Sequence, residues 1–413
     1  MGYRVEVFDK NLKRIGEIDE WISLDFTVRL GQEGSWQILV KDDTPQAALI
    51  EKGGGIAIWQ DGVPKPLLSG QVDVYQKYWT KVQHTGPGSL YIAGKCHNQF
   101  AYSRLAFPDP SLPVTQQYKS PLPFRAWRAG KPVGQIMYEE LNRSLGPSAL
   151  ADRRVPGLNI PPSTLGGPLS DNLRFDVIGS KIEEWTKPKF RSVAYRFIYN
   201  AETQQIDLDI FKPRDLSKEI RLSPELGNLR EYIWTLNAPK ITRAIVGCAG
   251  EGLERYYYQK VDAASEAEWG RVIEVFVDRR DIQLKVDKAT GLPVKSDAAM
   301  TTEDFEAAKD AVQEAATTAL EEGVKSGNFQ IYPIDTDECL FGRDYFVGDI
   351  VTVTADGTEY SDVVREVAIS VDDGGNTQDV SPKLGQQGSG EPLNLYKTVY
   401  DMQKKLRRLE ARM

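Results

Sequence analysis

Histidine and cysteine are scarce in this sequence. Its 413 residues include two histidines, His84 and His97, and three cysteines, Cys96, Cys248 and Cys339. Two histidines leave little material for a histidine-based catalytic triad or metal cluster. Three widely separated cysteines do not make a disulfide framework or a set of zinc ligands, so we expect buried, reduced thiols.

Long apolar runs are missing as well. No segment approaches the roughly 20 consecutive apolar residues that a membrane-spanning helix needs. The N-terminus carries Arg4, Glu6, Asp9 and Lys10 where a signal peptide would be continuously apolar. We therefore expect no membrane span and a protein made and kept in a cytoplasm.

The chain also lacks an excess of positive charge. Its formal net charge is −8 and its pI is near 5.2, so it has no general attraction for phosphate backbones, and nucleic acid is not expected as a bound ligand. The 41% hydrophobic and 27% charged residues suffice for two or three cores. These values indicate a multidomain globular protein.

Alternating apolar residues predict a mainly β protein with α insertions. Residues 1–105 alternate in the manner of antiparallel strands, with a hairpin signal at Gln60-Asp61-Gly62. Residues 106–220 are expected to form an inserted mixed α/β domain. It would hold an irregular segment rich in proline, glycine and serine at 107–168, helices at 132–145 and 177–186, and strands at 193–199 and 206–211.

Residues 221–385 are expected to form a second β unit that includes a long helix at 302–322. Strands are predicted at 241–247, 256–261 and 272–277, and a final β segment at 329–380. The helix carries an apolar stripe, suited to close packing on a flat surface, at Phe305, Ala308, Val312, Ala316 and Ala319.

Residues 386–413 read as a flexible linker followed by a coiled-coil helix. Apolar residues alternate at spacings of four and three, as in a heptad seam, at Leu395, Val399, Met402, Leu406, Leu409 and Met413. So short a helix is marginal in water on its own, which implies that the body in front of it already self-associates. Packing of the helix on its own domain is the alternative, and the pattern does not choose two strands over three.

Five clusters of cysteine, histidine, glycine, acidic or aromatic residues are candidates for a functional site. None of them predicts a catalytic, cofactor-binding or metal-binding residue. Cys96 and His97 are adjacent, so in a strand they face opposite ways and cannot form a thiol–imidazole pair. Gly247, Gly250 and Gly252 lack the order of a dinucleotide fingerprint or a Walker lysine, which favours a turn between strands.

Acidic and aromatic clusters have ordinary explanations too. The acids Asp335, Asp337 and Glu338 could serve glycoside hydrolysis, but a solvated turn is expected. Residues 372–376 resemble a calcium loop without its alternating acids, so a hairpin tip is expected. Tyr256-Tyr257-Tyr258 with Trp269 could bind sugar, although core packing and interface contacts are favoured.

Several stretches, loose individually but in a characteristic order, carry a family resemblance: Asn142–Ala149, Arg153–Leu158, Leu222–Leu229, Ile245–Gly252 ending at Arg255, and Val347–Val353. Through them nearly the whole chain resembles the tail-tip (baseplate) hub proteins of long, non-contractile-tailed phages, the group common in phages of actinobacteria.

The resemblance implies two β-barrel units similar to tail-tube subunits and a homotrimer that closes the tail tube while keeping a passage for the genome. Implied partners are a distal tail protein or the tail tube above, tip, fibre or receptor-binding proteins below, and the tape measure protein. DNA would meet the protein only in transit. The implied location is the virion tail tip, after assembly in the host cytoplasm.

Two other classes of function stay open at this stage. The chain could be a tail-associated enzyme that degrades cell-wall polymer, or a carbohydrate-binding adhesin at the tip. Some relatives of the hub family carry a peptidoglycan-cleaving or fibre domain after the hub, and this sequence stops at the predicted coiled coil. We therefore expect a structural protein without a catalytic role.

Overall fold

The computed structural model describes residues 2–79, 88–121, 125–186, 193–250, 252–323, 326–333, 339–355, 357–374 and 377–385. Within these ranges the chain packs as two units. Unit 1 holds the residues up to 233 and those from 329 to 385, and unit 2 holds residues 234–328.

Short strands dominate the first part of unit 1, as the alternation predicts. Two one-turn helices interrupt them, α1 Pro45–Ala48 and α2 Gln99–Tyr102. The strands are β1 Tyr3–Phe8, β2 Arg14–Ile18, β3 Ser23–Arg29, β4 Ser35–Lys41, β5 Gly55–Gln60, β6 Leu68–Gln71, β7 Val74–Tyr78 and β8 Ser89–Lys95.

Helices and strands then mix. The helices are α3 Val133–Ser144 and α4 Ile178–Trp185, with 3-10 turns at Val114–Lys119 and Ala151–Arg153. The strands are β9 Arg125–Pro132, β10 Leu158–Asn159, β11 Pro168–Leu173, β12 Ala194–Asn200, β13 Gln205–Phe211, β14 Arg221–Leu222 and β15 Leu229–Asn237. Both helices were predicted within one residue of their ends.

Unit 2 contains β16 Arg243–Gly247, a 3-10 turn at Gly252–Glu254, β17 Tyr257–Val261, α5 Ala263–Trp269, β18 Glu274–Asp278, β19 Leu284–Val286, β20 Pro293–Lys295 and α6 Thr302–Gly323.

The last strands are β21 Ser326–Pro333, β22 Ile350–Ala355, β23 Thr358–Val371 and β24 Thr377–Gly385.

One long, mainly antiparallel sheet joins strands from both ends of the sequence, with β14 parallel to β22. Its order is β15-β21-β24-β23-β3-β4-β8-β7, with β22 and β14 continuing from β23. The central pairing aligns Ile369 with Phe26. The expectation of two β-barrel units is therefore wrong in this respect, because the strands form several open sheets and β3 pairs with β23. Apolar alternation reveals a strand and its buried face but does not identify its partner.

The long sheet and a smaller one share the main core of unit 1. The smaller sheet has the order β2-β1-β5-β6. Large buried side chains such as Trp36, Phe26 and Ile58 join a single apolar cluster. Trp21 belongs to the same cluster and donates its indole N–H to the carbonyl of Asp372 at 2.7 Å. Burial of this apolar surface is the main stabilising contribution.

A second core of unit 1 lies under α3 and α4. The five residues predicted to share one face around α3 are all fully buried: Val133, Ile136, Met137, Leu141 and Leu145. The segment predicted to be irregular nevertheless contains β9, which pairs with β11. Its proline- and glycine-rich composition shows few alternations, so apolar patterning did not predict this strand.

Unit 2 contains a three-stranded sheet, order β17-β16-β18, covered on one face by α6, and a two-stranded sheet of β19 and β20. The predicted stripe is confirmed, since Val312, Ala316 and Ala319 are buried against Ala244 and Val246 of β16. Alanine lets the helix approach closely. The three boundaries of the four predicted segments, near 105, 220 and 385, stay a prediction.

Candidate interaction surfaces

The predicted self-association residues lie outside the described residues. They are Leu395, Val399, Met402, Leu406, Leu409 and Met413, and their role stays a prediction. The acids Asp335, Asp337 and Glu338 also lie outside the described ranges. The candidate interaction surfaces therefore lie on the sheets, helices and loops of units 1 and 2.

Cys96 and His97 have separate structural roles. The Cys96 sulfur accepts a hydrogen bond from the Gly34 N–H at 3.0 Å, and burial raises the pKa of the thiol. His97 is fully buried, with Nδ1 2.8 Å from the Ser69 hydroxyl, which itself accepts from the Tyr199 N–H. Burial lowers the pKa of His97 to about 3. The ring is therefore neutral, and its hydrogen bond with the Ser69 hydroxyl serves the core.

The glycines near residue 250 form a turn between strands, as predicted. Gly250 and Gly252 have positive φ angles of 98° and 56°, and β17 follows the turn. Gly247 has a different role, because a Cβ there would lie 2.6 Å from the Phe276 ring and 2.8 Å from an Arg255 nitrogen. Its missing side chain leaves room for both groups on the sheet.

That room is filled by an exposed aromatic patch on the face of the unit 2 sheet opposite α6. Tyr257 is 52% exposed and Phe276 is 51% exposed. The Arg255 guanidinium lies 5.6 Å from the Tyr257 ring centre and 5.4 Å from that of Phe276. We refer to Arg255, Tyr257 and Phe276 as the aromatic patch. Of the tyrosine run, Tyr256 and Tyr258 pack on the core instead.

Arg255 is held rigidly within the aromatic patch. Its guanidinium donates to the carbonyls of Cys248 and Gly247 at 2.8 and 3.0 Å and to the Asp278 carboxylate. Aromatic and arginine side chains dominate the energy of many protein interfaces, and a fixed arginine loses little entropy on binding. This arrangement is typical of a contact surface.

The solvent face of the long sheet carries a polar row across four strands. Ser370 donates to Asp25 at 2.5 Å, Gln37 donates to Asp25 at 3.2 Å, and the Tyr91 hydroxyl donates to Gln37 at 3.0 Å. These residues belong to β23, β3, β4 and β8 in that order. The row ties the strands together on the face opposite the core.

A second row on the same face consists of paired charges. Glu366 of β23 lies between Arg29 of β3, whose Nε is 2.6 Å away, and Lys383 of β24. Despite burial, these two cations lower the pKa of Glu366. The described part of this face is thus polar and its charges are largely paired.

One edge of the long sheet is open in the described part of the chain. Strand β7 pairs only with β8 there, and all five of its residues are exposed. Tyr78 is 55% exposed and the following Trp79 is 65% exposed. An exposed edge with unpaired backbone groups and large apolar side chains readily accepts another strand or surface.

The described residues include neither a metal-binding cluster nor a helix suited to crossing a membrane. They contain no group of three or more metal-ligating side chains placed to hold an ion. None of the described helices combines the length and apolarity that crossing a membrane requires.

Comparison with protein families gives a match over nearly the whole chain. The model of siphovirus ReqiPepy6 Gp37-like proteins covers residues 4–386. Comparison with curated proteins gives no match.

Among solved structures, the 43 kDa tail protein of prophage MuSo2 from Shewanella oneidensis is similar, with TM-score 0.55 at 12% identity over 93% of this chain and 97% of that one. A tail protein from Neisseria meningitidis MC58 gives TM-score 0.53 at 12% identity, covering 94% and 98% of the two chains. The prophage tail protein gp18 from Listeria monocytogenes EGD-e gives 0.48 at 11% identity, covering 98% and 100%. The first two establish a shared fold.

The mainly β architecture, the fold shared with two tail proteins and the match over residues 4–386 agree with one another. The chain belongs to the siphovirus ReqiPepy6 Gp37-like family of phage tail proteins.

Proposed function

We propose that the chain is a structural hub at the phage tail tip, and that three copies close the end of the tail tube around a passage for the genome. The observation that carries this proposal is the long sheet, which has one buried face, one polar face and an open edge at β7. Such a sheet suits a subunit of a ring, since closure of a ring covers edges that would otherwise pair without control.

The polar face of the long sheet is the surface we assign to the passage. Among its described charges, Arg29 and Lys383 both pair with Glu366, and Asp25 adds a carboxylate, so these two cations are not free to bind phosphates. A trimer would carry a formal charge of −24, three times the −8 of one chain. Both properties favour release of passing DNA over its retention.

The remaining surfaces suit contacts with other tail components. We propose that β7 meets a second copy and that the aromatic patch receives a neighbouring tail protein. The distal tail protein or tube would lie above, and tip, fibre or receptor-binding proteins below, with the tape measure protein in the passage. The C-terminal heptad would form a threefold stem after assembly in the host cytoplasm.

Native mass spectrometry of the purified chain tests the trimer. We expect a species of three times 46.3 kDa that persists on dilution, and images of isolated tails should place it as a ring at the tip. A monomer at every concentration, combined with a position away from the tip, would contradict the proposal.

Glycan binding is a second candidate function, favoured only by the aromatic patch. Exposed rings beside a fixed arginine and Asp278 present apolar faces and polar groups together, as sugar sites do. Incubation with host cell-wall glycans and a Phe276→Ala variant tests it. Binding that the variant loses would support an adhesin, and absence of binding would leave the patch to protein partners.

A further inference from the structure

Two arginines donate to the backbone of a short extended segment of unit 1, and a third, Arg104, directly precedes it. The carbonyl of Leu105 accepts a hydrogen bond from Arg153 Nη2 at 2.6 Å, and that of Phe107 accepts from Arg125 Nη2 at 2.6 Å. Alternate carbonyls of an extended segment point to the same edge. Both guanidinium groups are therefore drawn to one side of residues 105–107.

The other edge of this segment is fixed by backbone pairing. The Ala106 N–H donates to the backbone carbonyl of Asp176 at 2.8 Å, and the Ala106 carbonyl accepts from the Phe175 N–H at 2.8 Å. This backbone pairing fixes residues 105–107, and with them the two carbonyls that accept from Arg125 and Arg153. Arg104 directly precedes the segment, and its Nη1 donates to the Ser103 carbonyl at 3.2 Å.

Of the described carboxylates, few bond directly to these three arginines, although the charges of Asp109 and Asp152 also act on the group. In the described part of the chain, Glu140 is the carboxylate that accepts a hydrogen bond from this group, from Arg125. The pKa of Arg153 is lowered, first by burial and then by the nearby Arg104 and Arg125, despite the opposing charges of Glu140 and Asp152. The like charges of these arginines therefore oppose one another.

Several N–H donors of the group are also without a partner. Among the described residues these buried donors are Arg104 Nε, Arg125 Nε and Arg153 Nη1. Arg125 is only 6% exposed, and the Arg153 guanidinium lies 3.8 Å from the centre of the Phe107 ring. A buried donor left unpaired costs free energy, so its retention calls for an acceptor.

We propose that Arg104, Arg125 and Arg153, the arginine cluster, bind a phosphate-type oxyanion. Guanidinium groups match phosphate oxygens with paired, charge-assisted hydrogen bonds. A tetrahedral anion offers more acceptor oxygens than a carboxylate and can serve several arginines at once. Arg153 also belongs to the stretch Arg153–Leu158, one of those that carry the family resemblance. The proposed anion site does not depend on the proposed hub function.

Isothermal titration of the full chain tests the site. Inorganic phosphate is the first probe, and dimethyl phosphate represents a phosphodiester within a polymer. Both are compared with chloride at equal ionic strength. We expect saturable binding of phosphate, weakened at least tenfold by Arg104→Gln and by Arg153→Gln. The control Arg280→Gln removes an arginine that is 68% exposed in unit 2 and should bind as the parent does.

Stronger binding of dimethyl phosphate would assign the anion to a polymer, and stronger binding of inorganic phosphate to a free ion. Arginine Nε–H resonances give an independent readout if a variant unfolds, because those of Arg104 and Arg125 should shift with phosphate in the parent chain. Equal affinity in all variants, or a response that chloride reproduces, would overturn the proposal.

Discussion

At the level of single residues, the buried ion pair of Arg125 and Glu140 is the contact whose loss should matter most. Glu140 is fully buried, accepts from Arg125 and also accepts from the Ser144 hydroxyl at 2.9 Å. Glu140→Gln leaves the buried guanidinium uncompensated, so the free energy of unfolding should fall by about 3–5 kcal/mol. Urea unfolding followed by tryptophan fluorescence measures this.

Glu359→Gln is the matched control for that substitution. Glu359 pairs with Arg221 at 3.0 Å, but both side chains are about half exposed. Loss of such a surface pair should cost about 0–1 kcal/mol. A similar small loss for Glu140→Gln would show that the buried pair contributes no more than a surface pair.

His97 should make stability depend on pH. Its pKa is about 3 in the folded chain, against about 6.5 when unfolded, so the unfolded chain binds the extra proton between these values. Stability is therefore full above pH 6.5 and is lost as the pH falls toward 3. Between pH 7 and pH 5 this amounts to about 2 kcal/mol.

The His97 contribution is measured as a difference. Urea unfolding of the parent and of His97→Gln at pH 7 and at pH 5 should give a gap that shrinks by about 2 kcal/mol at the lower pH. Parallel pH dependence of the two proteins would show that the histidine does not lose its proton on folding as inferred.

At the level of elements, β7 is the strand whose surface should govern self-association. Its five residues are exposed at a sheet edge, and lysine at an edge opposes the addition of another strand. The double variant Val74→Lys with Tyr78→Lys should reduce the trimer fraction in sedimentation velocity. Val294→Lys, at a position 38% exposed in unit 2, should leave it unchanged. If both variants associate alike, β7 is not the contact.

Helices and individual strands were largely predictable from sequence because their signals are local. The spacing of Val133, Ile136, Met137 and Leu141 marks one face of α3, and all four are buried. Strand partners were not predictable. Nothing near Phe26 indicates that it pairs with Ile369, so separate barrels were expected where one open sheet exists.

The interaction surfaces were harder to predict than the elements. The sequence drew attention to Tyr257 through its tyrosine run, but Phe276 joins the aromatic patch by strand pairing alone. The arginine cluster was likewise invisible, because Arg104, Arg125 and Arg153 lie in three separate segments. They come together because Arg125 and Arg153 donate to the carbonyls of Phe107 and Leu105, and Arg104 directly precedes that segment.

At the level of the whole molecule, the C-terminal heptad yields a test of the proposed stem. Leu406→Asp with Leu409→Asp places two charges in the apolar seam, which should weaken the trimer or detach the component below the hub. Native mass spectrometry and recruitment of neighbouring tail proteins measure this. Gln403→Asp, outside the seam, is the control. A double variant that stays trimeric and recruits normally would assign the helix to internal packing.

The pairing of β3 with β23 also affects when the protein can fold. The salt bridge between Arg29 and Glu366 spans 337 positions in the sequence, which a ribosome needs roughly 20–70 s to synthesise at about 5–20 residues per second. During that interval β3 lacks one of its two neighbours. Nascent chains therefore have an unfinished sheet, and only a chain synthesised as far as β23 can complete the surface that we assign to the genome passage.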